Sequence, residues 1–387
     1  MTQLEAHIAG AGIATPYPVS NEQFLRMDEM MRRHHQQPQK TIDQLQSFTK
    51  GTGIHTRHYA HPHWLTGMAE KEAMMSDAER PPGALTTDIF SAHDYIPPYH
   101  ERMKVFEATC VELAIAAARK ALTDWGGDPQ DISHIYTTCT SGWSEPGVAV
   151  GVIEALGLSL DCAKAELNFN GCFCGATCLR IARDTVRAGD AKAVLVVAVE
   201  VASTHYDVNA TDASSLVAHS LFADGAAAIV LASQGKWRYE KTGMSLVPES
   251  KGLLGLDPPL AADHSSYRMY LDRHVGKKLG RYFAEGPGKD LLARLMDGEN
   301  GRFPALGIHP GGPNILDNIK RVLLTNGWPE DAMDASYDVL QSYGNLGAAA
   351  MLFVLAATLN DIKESTLITM AFGPGVTVEW GKLVKVD

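Results

Sequence analysis

The sequence predicts an α/β protein made of two diverged copies of one unit, and three observations carry that prediction. The first is size: 387 residues, 45% of them hydrophobic, exceed one simple core yet supply apolar surface for two packed halves. The second is a repeated spacing. Cys172 opens a helical pattern and is followed 21 residues later by the apolar strand that starts at Ala193, while Asn345 opens another and is followed 21 residues later by the strand that starts at Thr366. The third is a Phe-x-x-Gly turn after each strand, Phe222-Ala223-Asp224-Gly225 and Phe372-Gly373-Pro374-Gly375. A division near Gly235 gives an N-terminal half, residues 1–235, carrying the cysteine, and a C-terminal half, residues 236–387, carrying His309 and Asn345.

The individual elements follow in chain order. His7 to Gly10 reads as a first strand running into a glycine-rich turn. Ser20 and Gln23 have the spacing of a capping box, with Phe24, Met27 and Met31 on one face of the helix they start. Between Ala60 and Pro98 the periodicity collapses and prolines punctuate the chain, which predicts a long surface excursion; His61 and His63, like His34 and His35, are read as surface residues. Met103, Phe106, Cys110, Leu113 and Ala117 then recur at helical spacing. After Cys172 comes a helix with Leu179, Ala182 and Val186 inward, stopped at Gly189 and followed by the buried strand Ala193 to Val199. In the second copy an apolar run ends at His309, Pro313 suits the first turn of a helix with Ile315, Ile319, Val322 and Leu323 on one face, and an apolar helix spans Ala348 to Leu359.

Charge and cysteine content narrow the function. A net charge of -11 argues against nucleic acid or an anionic membrane as main partner, since both require a basic surface. Met1 to Gly10 lacks the features of a secretory signal, and the longest apolar stretch, Leu346 to Leu359, is shorter than the roughly 18 residues of a membrane span. A cytoplasmic protein with free thiols is expected, because six cysteines in a chain of this length do not make a disulfide scaffold.

Three polar residues at turn-to-helix junctions can carry chemistry. Cys172, in Asn170-Gly171-Cys172-Phe173, stands before a helix, where the macrodipole together with an imidazole, given one nearby, can lower a thiol pKa to about 3.5–7.5 and so make a nucleophilic thiolate. The alternatives are a buried structural cysteine or, with Cys174 and Cys178, a metal ligand, but C-x-C-x-x-x-C is not a zinc spacing and Cys178 falls among core residues. His309 lies between a strand end and Pro310-Gly311-Gly312-Pro313, where it can reach a cavity while the glycines let a ligand lie against bare backbone. Asn345, in Tyr343-Gly344-Asn345-Leu346-Gly347, can hold a developing oxyanion with its amide NH2, though such an Asn also serves as a turn or cap residue.

The segments Gly171-Cys172-Phe173, Gly307-Ile308-His309-Pro310-Gly311-Gly312-Pro313, Tyr343-Gly344-Asn345 and Phe372-Gly373-Pro374-Gly375 resemble the signatures of the chalcone synthase-like type III polyketide synthases of the thiolase superfamily. The likeness runs through nearly the whole chain in order, and its last segments separate it from β-ketoacyl-ACP synthase III. The resemblance implies a five-layered αβαβα thiolase-like fold, a homodimer, and an acyltransferase that forms carbon–carbon bonds by decarboxylative Claisen condensation. It implies that Cys172 takes the acyl group of an acyl-CoA, and that His309 and Asn345 hold malonyl-CoA as CO2 leaves, with CoA thioesters as substrates and no metal or redox cofactor. It places Phe222 at a gate between CoA tunnel and cavity, with Thr140, Ser141, Gly311, Gly312, Gly373, Pro374 and Gly375 around the substrate. It also places Lys50, Arg57 and Asn314 near the CoA phosphates, to which Arg273, Lys277 and Arg281, at i, i+4, i+8 spacing, add a basic helical face.

Two departures from the family bear on the substrate. Gly280 aligns with a second gating phenylalanine of the plant-type enzymes, which would widen the cavity for a longer acyl chain. Glu145 stands where the family usually has an apolar residue, and resembles instead the glutamate base that head-to-head condensing relatives receive from the neighbouring subunit. Malonyl extension to a pyrone or resorcinol-type product is the first expectation. Joining of two acyl or β-ketoacyl thioesters, also from carrier proteins, is the second, and a non-catalytic subunit of a larger synthase the third.

Overall fold

The computed structural model describes residues 4–61, 80–85, 98–257, 268–296 and 303–386. Within them the chain runs through β1 (His7–Ala14), β2 (Tyr17–Ser20), α1 (Asn21–His34), α2 (Gln39–Lys50), β3 (Thr56–Tyr59), α3 (Tyr99–Trp125), β4 (Ile132–Thr138), α4 (Val148–Leu156), β5 (Ala163–Glu166), α5 (Cys174–Ala188), β6 (Ala193–Val201), α6 (Ala213–Leu221) and β7 (Asp224–Ala232). It continues through β8 (Trp237–Leu246), β9 (Leu254–Asp257), β10 (Arg268–Leu271), α7 (Val275–Glu285), α8 (Pro287–Met296), β11 (Ala305–Ile308), α9 (Pro313–Thr325), α10 (Asp334–Tyr343), α11 (Ala350–Thr358), β12 (Thr366–Gly373) and β13 (Thr377–Lys385).

The predicted duplication is visible in the pairing. β4 runs parallel to β6, β6 antiparallel to β7 and β7 antiparallel to β1; β11, β12, β13 and β8 repeat the same sequence of senses. The two sets join in one nine-stranded sheet where His7 and Ile8 of β1 face Arg238 and Trp237 of β8. Alternation along each strand then sorts the layers. In β6, Val194, Val196 and Ala198 pack with α5 and α11, while Leu195, Val197 and Val199 pack with α3 and α4. In β12, Leu367 and Ala371 face that same middle layer, and Ile368, Met370 and Phe372 pack with α7, α8 and α9. The order α, β, α, β, α is the expected five-layered arrangement, with the site-bearing helices α5 and α11 innermost.

Local expectations mostly hold. Ser20 and Gln23 close the capping box through bonds of 2.8 and 3.1 Å. Gly189 ends α5 in the left-handed conformation, at φ 85°. Three expectations need correction. Gly10 and Gly12 are not a turn: β1 continues through them because α3 lies on this face, so close that a Cβ would stand 2.3 Å from the Ala121 carbonyl and 2.4 Å from that of Ala117. His61 is buried, not at the surface. Most of the predicted excursion, including His63, lies outside the described residues, but Arg80–Leu85 does not run over the surface, since Ala84 is buried and Leu85 accepts a hydrogen bond from the Tyr17 hydroxyl.

α5 and α11 meet at Gly175, where a Cβ would stand 2.4 Å from the Ala348 carbonyl and 3.2 Å from Leu352. Neither backbone can retreat, because both helices are sandwiched between sheet faces. Gly175→Val is therefore expected to lower unfolding stability by about 1–3 kcal/mol in denaturant titration, whereas Gly252→Ala, in open space, leaves the midpoint nearly unchanged. Equal midpoints for the two variants would contradict the close contact.

Candidate active site

One cavity, of about 160 Å³, gathers Cys172, His309, Asn345 and Phe222, together with Thr140, Ser141, Gly171, Gly311, Gly373 and Pro374. Cys172 sits in the turn that enters α5, and it is half-buried whereas the other five thiols are fully buried. Gly171 makes the approach possible with φ 95°, and a Cβ on it would lie 2.1 Å from the Pro374 ring. On the other side a Cβ at Gly373 would stand 3.0 Å from the Cys172 amide, so the end of β12 is laid directly on the nucleophile's backbone.

His309 leaves β11 with its amide bonded to the Met370 carbonyl at 2.8 Å, then turns back so that Gly311 N–H donates to its carbonyl at 2.9 Å. The ring lies over Gly311, 3.1 Å from where a Cβ would be, and among the described residues its Nδ1 has no hydrogen-bond partner. Asn345 is held as a bridge to the Phe222 segment: its N–H donates to Leu221 at 2.9 Å and its carbonyl accepts from Ala223 at 3.0 Å. Its side chain is oriented, because Oδ1 accepts from Gly347 N–H at 3.0 Å and Nδ2 donates to the Gly311 carbonyl at 3.2 Å. The amide NH2 therefore stands on the histidine's turn.

Sequence reasoning missed Glu200, which also lines the cavity. Its carboxylate accepts from Thr140 N–H at 3.1 Å, Ser141 N–H at 2.9 Å and Ala348 N–H at 3.0 Å. The available signal was a charged residue near the end of an otherwise apolar strand, Ala193 to Val201. The surroundings of Cys172 disfavour the expected thiolate. Burial, and then the Glu200 charge, push the Cys172 thiol up to about 12, while burial pushes His309 down to about 4. Both shifts favour a neutral thiol and a neutral imidazole over the expected thiolate.

Several expected substrate contacts lie elsewhere. Arg57 is fully buried beneath the cavity wall, bonded to the carbonyl of Ser220 and to Asn21, with its guanidinium over Phe24; it is a structural cation and cannot meet a phosphate. Gly280 faces α9 rather than the cavity, a Cβ there being 3.3 Å from the Asn318 carbonyl, so it serves helix packing and does not widen the site. Gly312 and Gly375 shape turns beside the cavity without lining it. Lys50, Asn314, Arg273, Lys277 and Arg281 are exposed; Lys277 and Arg281 lie on the face of α7 opposite the cavity-lining Val275 and Leu279, and Arg273 precedes that helix. Glu145 is exposed and does not line this chain's cavity. Among the described residues no group of three or more His, Cys, Asp and Glu side chains could hold a metal ion, and no helix is long and apolar enough to cross a membrane.

Residues 86–235 match the family model of chalcone and stilbene synthases, N-terminal domain, and residues 285–386 match that of the C-terminal domain. Among curated proteins the chain is similar to an alpha-pyrone synthesis polyketide synthase-like protein, Pks18, of Mycobacterium tuberculosis, with 31% identity over 72% of each chain. It is also similar to bisdemethoxycurcumin synthase of Oryza sativa, with 29% identity over 76% of this chain and 77% of that one. In fold it is similar to PKS-I from the brown alga Ectocarpus siliculosus, at a TM-score of 0.84 and 23% identity over the full length of both chains.

Because the Glu200 charge disfavours the thiolate, Glu200→Gln is expected to lower the apparent pKa of Cys172. The pH dependence of iodoacetamide inactivation measures it: the profile should move to lower pH in the variant. An unmoved profile would show that the carboxylate does not act on the thiol.

Proposed function

The chain belongs to the chalcone and stilbene synthase family of type III polyketide synthases, and from that premise we propose that it loads an acyl group from an acyl-CoA onto Cys172 and extends it with malonyl-CoA. The observation that carries this reading is the convergence of Cys172, His309 and Asn345, from three separate turns, on one cavity. His309 takes the proton of Cys172 as sulfur attacks the thioester carbonyl, and returns it to CoA as the carbon–sulfur bond to CoA breaks. Malonyl-CoA then enters. As its carboxylate leaves as CO2, the electron pair passes to an enolate whose oxygen is held by the His309 ring and the oriented Asn345 amide. The enolate carbon attacks the acyl carbon, Cys172 departs, and the lengthened β-ketoacyl chain remains on CoA.

Phe222, fixed between α6 and β7 and bridged to Asn345, stands beside these groups as a gate to the cavity. The relative described as an alpha-pyrone synthesis protein supports pyrone formation as the ring-closing outcome. The scheme calls for no metal or redox cofactor and suits a cytoplasmic supply of CoA thioesters. A homodimer fits the surface: β5 is an edge strand of the large sheet with most of its side chains exposed, and Trp143, Leu160 and Phe169 beside it are apolar and exposed.

Incubation with acyl-CoA and labelled malonyl-CoA tests the reading. Labelled product and acylated Cys172 are expected, with Cys172→Ala abolishing both and Asn345→Ala lowering kcat about 100- to 1000-fold while loading persists. Product formed without malonyl-CoA would refute malonyl extension and favour head-to-head joining.

A further inference from the structure

The cavity extends well past the reacting groups. On one side its wall is a single face of α6, where Ser215, Ala218, His219 and Phe222 recur at helical spacing. From Phe222, bridged to Asn345, back to Ser215 is about 10 Å of helix. On the other side stands the β9–β10 hairpin, with Leu254, Leu256, Met269 and Leu271 turned inward. The hairpin is clamped to the far end of α6: Ser214 Oγ accepts from Leu271 N–H at 3.3 Å and donates to the Leu271 carbonyl at 3.4 Å.

The polar residues of this groove engage their polar atoms in hydrogen bonds within the protein. The Tyr59 hydroxyl donates to the Phe222 carbonyl, Tyr206 to Asp28, Ser203 to Asp224 and Ser215 to Asp212. His205 bonds the Ser141 carbonyl through Nε2, and His219 accepts from Asp207 N–H at 3.3 Å with Arg32 3.5 Å from its other ring nitrogen. Burial keeps both rings neutral, at about 4 and about 3. Among the described residues the exceptions are Thr140 Oγ1 and His309 Nδ1, and both belong to the reacting end, where the Thr140 amide is bonded to Glu200. A ligand lying between α6 and the hairpin therefore meets carbon on both sides.

We propose that this groove is an acyl-chain subsite and that the starter is an unbranched aliphatic acyl group rather than a hydroxylated aromatic one. The proposal rests on the condensing function and specifies its substrate class. An alkyl chain fills the groove with gain at every methylene, whereas a phenol would bury its hydroxyl against groups that already have their partners.

The test compares butyryl-, hexanoyl-, octanoyl- and coumaroyl-CoA as starters, with labelled malonyl-CoA and mass measurement of acylated Cys172. In the unaltered enzyme kcat/KM should rise about fourfold for each added methylene until the groove is filled, and octanoyl-CoA should exceed coumaroyl-CoA. Ala218→Phe, which fills the middle of the groove, should cut the ratio of octanoyl to butyryl turnover at least about tenfold. An unchanged ratio would overturn the subsite. Coumaroyl-CoA turned over as well as octanoyl-CoA, with Cys172 acylated and malonyl-CoA consumed, would overturn the aliphatic assignment and leave the condensing function standing. If no thioester acylates Cys172, both fall together.

Discussion

The carboxylate of Glu200 is the constraint on which the site depends. It sits at the end of a strand that is otherwise apolar, 3% exposed, and receives three backbone N–H groups from two different loops. One of them belongs to the helical turn leading into α11, whose first amides have no partner within the helix. Losing the carboxylate would leave those donors buried and unpaired, at about 1–3 kcal/mol each. The same contacts set the spacing between the Thr140 loop and the segment that carries Asn345. Burial still pushes the Glu200 carboxyl upward, so the scaffold tolerates an unfavourable ionisation to hold its loops together. The cost is transmitted to Cys172, whose thiol must lose its proton within the same negative field.

The legible part of this structure was whatever depended on local sequence. Cys172, His309 and Asn345 could be found because each follows an apolar run or turn signal and precedes a helix, and the helix–strand spacing repeats. Strand faces, the capping box and the Gly189 stop were legible for the same reason. The expectations that the structure corrects depend on what lies opposite in space. Gly10 and Gly12 have the composition of a turn, but α3 arrives from a distant part of the sequence and requires bare backbone in a strand. Arg57 has the chemistry of a phosphate ligand, yet its partners are carbonyls at the end of α6 and Asn21. Gly280 is small because Asn318 crosses over it. Glu200 offers the sequence only a charge in an apolar strand, since three of its partners are backbone amides, which no side-chain motif announces.

Direction of polar atoms, more than residue type, decides the character of the cavity. Counted by residue name, the lining holds histidines, serines and tyrosines and would pass for a hydrophilic pocket. Counted by atom, those groups support the wall from behind, and the Asp28–Arg32–Tyr206 cluster shows how much buried charge is used in doing so. Polar chemistry is confined to the end where Cys172, His309, Asn345 and Thr140 meet. Reaction and selection of the substrate are thereby separated along one cavity.

The close seat of Gly373 and Pro374 on the Cys172 turn also has a consequence for synthesis of the chain. The ribosome completes α5 long before it reaches β12, so the cysteine emerges without the backbone that later covers it, without His309 and without Asn345. During that interval Cys172 is an ordinary thiol in an unfinished sheet, and acyl transfer to it has no machinery behind it. The finished site needs β12 in place beside β11, because its last residues lie on the nucleophile's turn. A chain that stops short of β11 lacks His309 and Asn345 as well, so the nucleophile and its two partners come together only in the full-length topology.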